Sequence, residues 1–336
     1  MRKAFITGVT GQDGAYLARR LLQEGYDVHG GVRHLPPDAP TNLETLGIAS
    51  DVRLHRFDLN DLTGIRAVLK EIAADEVYNL AAQSSVAASW DDPISAGRAN
   101  GLSVTAILEG LRGTGARFCQ ASTADMFGDV SGPCNEATPV RPLSPYGAAK
   151  AHAHHMVNGY RRAYDMHCSS AILFNHESPL RPTTFVTRKI SHGLASIARG
   201  ATEVLTLGNV EAKRDWGFAG DYADGMRLTL RQEGPDDYVF ASGTATSIRE
   251  FADLVAEALD LPLEWDGTGI RTRALDRRTG RTIVQVSERF YRPVEAAVLV
   301  GDATFAHAKL GWRPSLTVAD VATMMARADY DALDPG

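Results

Sequence analysis

The feature that most constrains this chain is a repeated alternation of short β-rich runs with longer helical stretches through its first half. The runs are KAFIT at 3–7, YDVHGGV at 26–32, VRLHRFD at 52–58, EVYNLAA at 76–82, RFCQAS at 117–122 and CSSAILF at 168–174. Consecutive strands joined through helices pair parallel by right-handed crossovers and are covered on both faces. The expectation is an α/β fold on a doubly wound parallel sheet. After Phe174 the alternation becomes irregular, and YVFASG at 238–243 reads as a late strand that rejoins the sheet. At 336 residues the chain exceeds one average domain. The pattern predicts a first domain over 1–174, rejoined by 215–262, and a smaller α/β lobe within 175–336, mainly 175–214 and 263–336.

The segment TGVTGQDGAYL at 7–17 ends the first strand and opens a helix, placing Gly8, Gly11 and Gly14 in a GxxGxxG arrangement. Glycines let the backbone approach a pyrophosphate, and the helix that follows presents unpaired N–H groups and the positive end of its dipole. A plain strand-to-helix turn is the bland alternative. In the first strand–helix unit of such a sheet the motif points to a dinucleotide and to the Rossmann type of fold. Arg33 and His34 stand after the second strand, where an NAD enzyme usually carries a carboxylate for the ribose hydroxyls. That favours NADP, with Arg33 on the 2′-phosphate. Gln12 and Asp13 in the loop, Asp58 and Leu59 after the third strand, and Leu80 and Ala82 after the fourth complete the candidate cofactor set. Asp58 reads almost equally well as a strand-end cap of the next helix.

SPYGAAK at 144–150 sets Tyr146 and Lys150 four apart, on one face of a helix expected to start near Ser144 and Pro145. A free tyrosine titrates near pH 10, so it acts as a base at neutral pH only if a positive charge stabilises its phenolate. Lys150 is placed to do that, with Thr123 at the end of the fifth strand beside it. By itself YxxxK is a common and uninformative pattern. His152, His154 and His155 invite a metal reading, but no third ligand stands at a recognisable spacing, and no metal is expected.

Composition narrows the partners. A formal net charge of −6 argues against a nucleic-acid binder, and no apolar run approaches the length of a membrane span. The apolar part of MRKAFITG is too short for a secretory signal, so the chain reads as soluble and cytoplasmic. Cys119, Cys134 and Cys168 are too few and too widely spaced for a disulfide framework or a CxxC site, and Cys119 is expected in the core.

Taken with Thr123, Tyr146 and Lys150, the glycine loop resembles the extended short-chain dehydrogenases. Within them the chain resembles the GDP-mannose 4,6-dehydratases in DEVYNLAAQS, QAST, SPYGAAK, FNHESP at 174–179, TFVTRKI at 184–190, KRDWGFAGDY at 213–222, FYRPVE at 290–295 and GDATFAHAKLGWRP at 301–314. The resemblance implies a redox-neutral reaction on a GDP-sugar, with C4 oxidised by NADP, water eliminated across C5 and C6, and the hydride returned to C6. It implies that Tyr146 takes the C4 hydroxyl proton, Thr123 holds that oxygen, and Lys150 binds the nicotinamide ribose. It assigns the substrate pyrophosphate to Asn175, Arg214 and Arg292, a ribose to Glu295, and the base to Val186 and Lys189, with Ser85 near the sugar. A homodimer or homotetramer is implied as well. For each arginine taken alone, a solvated surface charge is the alternative.

The likeness breaks in three places. Where the family has Ser-Thr-Ser-Glu-Leu-Tyr, with the glutamate as base at C5, this chain has Ser122-Thr123-Ala124-Asp125-Met126-Phe127. Asp125 keeps the carboxylate one methylene shorter, and a misplacement of about 1 Å can cost on the order of a hundredfold in rate. A small residue followed by Asp also resembles some 4-ketosugar reductases, so a C4 epimerase, a ketone reductase and a non-catalytic NADP-binding regulator stand as alternatives. The loop after Arg33 reads HLPPDAPTNLETLG in place of the family's Ser-rich subunit contact, and Ser85 stands where the family often has His.

Overall fold

The computed structural model describes residues 1–35, 41–201, 203–290 and 298–333. Its strands are β1 (Lys3–Thr7), β2 (Asp27–Val32), β3 (Val52–Arg56), β4 (Glu76–Asn79), β5 (Arg117–Thr123), β6 (Cys168–Leu173), β7 (Asn175–Glu177), β8 (Leu205–Leu207), β9 (Lys213–Phe218), β10 (Asp237–Phe240), β11 (Ala245–Ser247), β12 (Leu263–Asp266), β13 (Arg273–Asp276) and β14 (Thr282–Val286). Seven of them form one all-parallel sheet in the order β10-β6-β5-β4-β1-β2-β3. The fold is α/β and of the Rossmann type. Strand order reverses between β1 and β4, the switch point where such sheets open a crevice at their carboxyl ends.

Burial explains the strands. Every residue of β4 and β6 is buried, as expected for strands covered on both faces. Phe5, Val77 and Phe118 on the sheet pack with Ile65, Leu69, Ile107, Leu108 and Val157 from the helices over one face. The fourth run was expected to stay extended to residue 82, yet β4 ends at Asn79. The amides of Leu80 and Ala81 leave the ladder and donate to Thr7 Oγ1, at 3.1 and 3.0 Å.

The chain divides into two compact units. One comprises Met1–Phe174, Ala219–Ala241 and Gly301–Arg313; the other comprises Asn175–Phe218, Ser242–Val300 and Pro314–Gly336. This corrects the expected boundaries at two places. The return to the first unit is shorter than 215–262, because helix Ile248–Ala258 buries Phe251 and Val255 in the core of the second. Residues 301–313, expected in the lobe, belong to the first unit. There Gly301 bridges to Cys134, and Trp312 packs edge-on to Tyr222 and Phe240 while its indole donates to the Asp221 carbonyl at 2.7 Å.

Within the second unit, β7 pairs parallel and β11 antiparallel with β9, and β12-β13-β14-β8 form a further sheet. Helices Val186–Ala198, Ile248–Ala258 and Val318–Ala332 pack around Trp216. Arg188 on the first of these pairs with the buried Asp329 on the last at 2.6 Å, and Ser191 donates to the same carboxylate at 2.5 Å.

Candidate active site

The glycine loop is built for backbone approach. Gly8 has φ +67°, its carbonyl accepts the Gly11 amide at 2.9 Å, and helix Gln12–Gln23 begins immediately, with no side chain capping its first turn. A Cβ on Gly14 would lie 2.4 Å from the Gly8 carbonyl oxygen and 2.6 Å from Val9 Cα, so only glycine allows the helix this close to β1. Gln12 Nε2 donates to Asp13 Oδ1 at 3.1 Å. The cradle suits a pyrophosphate, a glycine-lined turn that runs directly into a helix start.

Around it, Arg33 is exposed just after β2, and residues 36–40 of the following loop lie outside the described residues. Asp58 does not cap the next helix. Its Oδ1 accepts the Asn60 amide at 2.9 Å in a local turn, while Asp61 caps helix Leu62–Ile72 through Gly64 N–H at 2.8 Å. Leu59 rests against the core below. Leu80 and Ala82 are half-buried where the chain leaves β4.

A relay of buried polar side chains crosses the carboxyl ends of three strands. Thr7 Oγ1 donates to Asn79 Oδ1 at 2.7 Å, Asn79 Nδ2 donates to Gln120 Oε1 at 2.8 Å, and Gln120 Nε2 donates to the Ala121 carbonyl at 2.7 Å. The sequence reading missed these residues. Thr7 lies beside the glycine motif, and Asn79 and Gln120 sit inside strongly apolar runs, where a polar residue was the available signal.

Helix Pro145–Tyr164 starts as its sequence demands. Ser144 accepts the Gly147 amide at 3.0 Å, Pro145 takes the first helical position where no N–H is needed, and Asp165 ends the helix at φ 51°. Tyr146 and Lys150 are both buried on it. The Lys150 ammonium lies 6.0 Å from the Tyr146 ring centre and donates to the Ala121 carbonyl at 2.8 Å. Burial pushes its pKa down to about 8, with Asp13 opposing weakly. Thr123 Oγ1 donates to Asp125 Oδ2 at 3.1 Å and accepts the Asp125 amide at 3.2 Å, folding the short carboxylate back over the end of β5. A Cβ on Gly147 would lie 2.8 Å from the Asp125 carbonyl, so the turn bearing Asp125 is pressed onto the first turn of this helix. Thr123, Asp125, Tyr146 and Lys150 are thereby gathered at one end of β5.

Ser85, expected near the sugar, caps helix Val86–Asp91 by accepting the Ala88 amide at 3.1 Å. Asn100, in a π-helical turn at Arg98–Leu102, exchanges two bonds of 2.9 Å with the Gln83 backbone and fixes this loop.

In the second unit, Asn175 is exposed at the start of β7 opposite Trp216, and Arg214 lies two residues earlier on β9. Val186 opens helix Val186–Ala198, and Lys189 one turn on sits 4.5 Å over the Phe290 ring. Burial and then Arg289 lower the Lys189 pKa. Arg292 and Glu295 lie outside the described residues.

Cys119 is fully buried and burial pushes its thiol up to about 12, as befits a core residue. Among the described residues no three metal-ligating side chains cluster, and no helix is long and apolar enough to cross a membrane. A cavity of about 680 Å³ lies at the opposite, amino end of the large sheet, lined by Arg66, Lys70, Arg112, Asp75 and Glu109 among others. Lys70 in the closing turn of helix Leu62–Ile72 and Arg112 at the C-cap of helix Ser103–Leu111 suit the negative ends of those helices, and the cavity is remote from the gathered residues.

Comparison with known proteins fits this geometry. The family model described as GDP-mannose 4,6 dehydratase matches residues 5–325. The chain is 44% identical over 340 residues to GDP-mannose 4,6-dehydratase of Sinorhizobium fredii, covering 98% of this chain and 97% of that protein. It is 39% identical to the human GDP-mannose 4,6 dehydratase, over 98% and 92%. A UDP-glucose 4-epimerase of Thermus thermophilus solved with NAD has the same fold at a TM-score of 0.82 and 23% identity, over 98% and 100% of the two chains. With a match this long laid over a glycine cradle and a buried Thr-Tyr-Lys group, the chain belongs to the GDP-mannose 4,6-dehydratase family of nucleotide-sugar-modifying enzymes.

Proposed function

We propose that the protein carries out NADP-dependent 4,6-dehydration of GDP-mannose or a close GDP-sugar to a 4-keto-6-deoxy sugar nucleotide. The observation that carries the reading is the packing of the Tyr146 turn onto the Thr123–Asp125 turn, which gathers a phenol, a hydroxyl, a carboxylate and a buried ammonium at one strand end. The glycine turn at Gly8, Gly11 and Gly14 and the helix start that follows it suit the cofactor pyrophosphate, with Gln12, Asp13, Leu80 and Ala82 around it, Arg33 toward a 2′-phosphate, and Asp58 and Leu59 toward the adenine. A nicotinamide held there would supply the hydride acceptor for C4 and the hydride donor for C6.

The protein's own groups do the proton work. Tyr146 takes the C4 hydroxyl proton, Thr123 holds the developing carbonyl oxygen, and Lys150 stabilises the phenolate while reaching the nicotinamide ribose. The C4 ketone acidifies the C5 proton, so the carboxylate of Asp125 suffices to remove it and to pass it to the departing C6 hydroxyl, which leaves as water; the proton held by Tyr146, exchangeable with solvent, goes to C5 when C6 receives hydride. Asn175 and Arg214, with Arg292, are assigned to the pyrophosphate, Glu295 to a ribose, Val186 and Lys189 to the base, and Ser85 to the sugar, on the family likeness. We also assign the protein to the cytoplasm, as a homodimer or homotetramer with no nucleic-acid or membrane partner.

One observation favours a second reading, a C4 epimerase or 4-ketosugar reductase: Asp125 is bonded back to Thr123, and Ala124 offers no hydroxyl. Turnover of GDP-mannose in deuterated water separates the two. A dehydratase yields deuterium at C5 and a methyl group at C6, without net NADPH use. An intact C6 oxygen rejects dehydration and supports the second reading.

A further inference from the structure

Ser89 has no place in the reaction scheme, yet it is fully buried against the start of the helix that carries Tyr146. Its hydroxyl donates to the Val86 carbonyl at 2.7 Å and accepts the backbone N–H of Tyr146 at 3.2 Å. The helix start explains the need for that acceptor. Pro145 has no N–H and Ser144 accepts from Gly147, so the Tyr146 amide is an orphan donor that another element must satisfy. A hydroxyl has one proton; committing it to Val86 aims the lone pairs at Tyr146.

Ser89 also sits in the short helix capped by Ser85. The loop before that cap is held by Gln83 Nε2 on the Ser85 carbonyl at 3.1 Å and by the two bonds of Asn100 to Gln83. A continuous set of bonds therefore runs from Asn100 through Gln83 and Ser85 to the Tyr146 backbone.

We propose that Ser89 is a positioning residue for Tyr146, locking the base to the loop that carries Ser85 so that both keep one spacing to the sugar. This rests on the function proposed above. Lys150, on the same helix, lies 6.0 Å from the Tyr146 ring, and the turn bearing Asp125 packs against that helix's first turn. A slackened helix start moves the phenol away from the ammonium that stabilises its ionised form.

The test compares Ser89→Ala and Ser89→Cys with the unmodified protein. The readouts are kcat and KM with GDP-mannose across pH, and an ultraviolet difference titration of phenolate in the NADP-bound protein referenced to Tyr146→Phe. Ser89→Ala is expected to lower kcat about ten- to a hundredfold, the scale of a small misplacement, with KM within about threefold. The acid limb of the rate profile and the Tyr146 titration should both move to higher pH. Ser89→Cys, a weaker acceptor of similar size, should fall between and decides the matter if the alanine variant does not fold. Unchanged kcat and titration, or a lower melting temperature with an unmoved titration, overturns the proposal. If the unmodified protein leaves GDP-mannose untouched, the proposed function fails, while the phenolate titration still reads Ser89 independently.

Discussion

The two ends of the seven-stranded sheet treat buried charge in opposite ways. At the amino end, Glu76 is buried and accepts from Tyr26 at 3.0 Å, Tyr78 at 2.8 Å and Arg231 at 2.5 Å, while Arg231 also reaches Glu24 at 3.3 Å. Asp237 there takes Arg161 at 2.6 Å and the Ser170 amide at 3.2 Å. At the carboxyl end, Lys150 is just as deeply buried but meets a neutral carbonyl rather than a carboxylate. Among the described residues only the more distant Asp13 offsets this charge, and a desolvated cation so weakly compensated lowers stability; such groups concentrate at sites of chemistry. The amino end is settled for stability, the carboxyl end held ready for a ligand.

That contrast breaks most visibly at Tyr146. Tyr146→Phe should cut turnover of GDP-mannose by about a thousandfold, within the range of a lost general base, while melting temperature and cofactor affinity hardly change. Retained turnover would make Tyr146 structural and remove the functional half of the comparison. The converse change is Glu76→Ala, which orphans the Tyr78 hydroxyl and leaves Arg231 short of its partner. It should cost about 3 kcal/mol in denaturant unfolding, the scale for breaking a buried pair, yet leave kcat within about twofold.

Lys150 sharpens the comparison through pH. Its folded pKa of about 8 lies below the ordinary 10.5, so between those values the unfolded chain binds more protons. Raising pH through that window therefore favours the folded state, and the penalty is complete below about pH 8. Without cofactor, the unmodified protein should gain up to about 3 kcal/mol relative to Lys150→Met across this interval. Parallel stability curves would show that Lys150 is not a strained cation. The smallest effect is expected at Arg33, which is exposed. Arg33→Ala should narrow the preference for NADP over NAD by about tenfold, since one solvated charge-assisted contact is at stake, as calorimetry with both cofactors can measure.

The sheet was legible because short β-rich runs alternate with helical stretches through the first half, and because the glycine spacing marks where β1 gives way to a helix. That Tyr146 and Lys150 share the start of one helix was legible from their spacing of four behind Ser144 and Pro145. What escaped depends on pairing between distant segments. Nothing in the sequence near Ser89 says that its hydroxyl meets an amide 57 positions away, and Thr7, Asn79 and Gln120 form a relay only once β1, β4 and β5 lie side by side. The unit boundaries slipped for a similar reason, since helix Ile248–Ala258 is amphipathic and its apolar face does not name the core it joins. Residues 301–313 are tied to the first unit by Trp312 and Gly301, and no local pattern announces either contact.

The most direct test of the central claim, that the turn at Asp125 performs the elimination, is a single-turnover measurement on Asp125→Asn with NADP and GDP-mannose, following near-ultraviolet absorbance of the reduced nicotinamide. C4 oxidation should proceed and elimination should stall, so reduced cofactor accumulates to about one equivalent per site while no 6-deoxy product forms; release of that product at the unmodified rate would contradict the account.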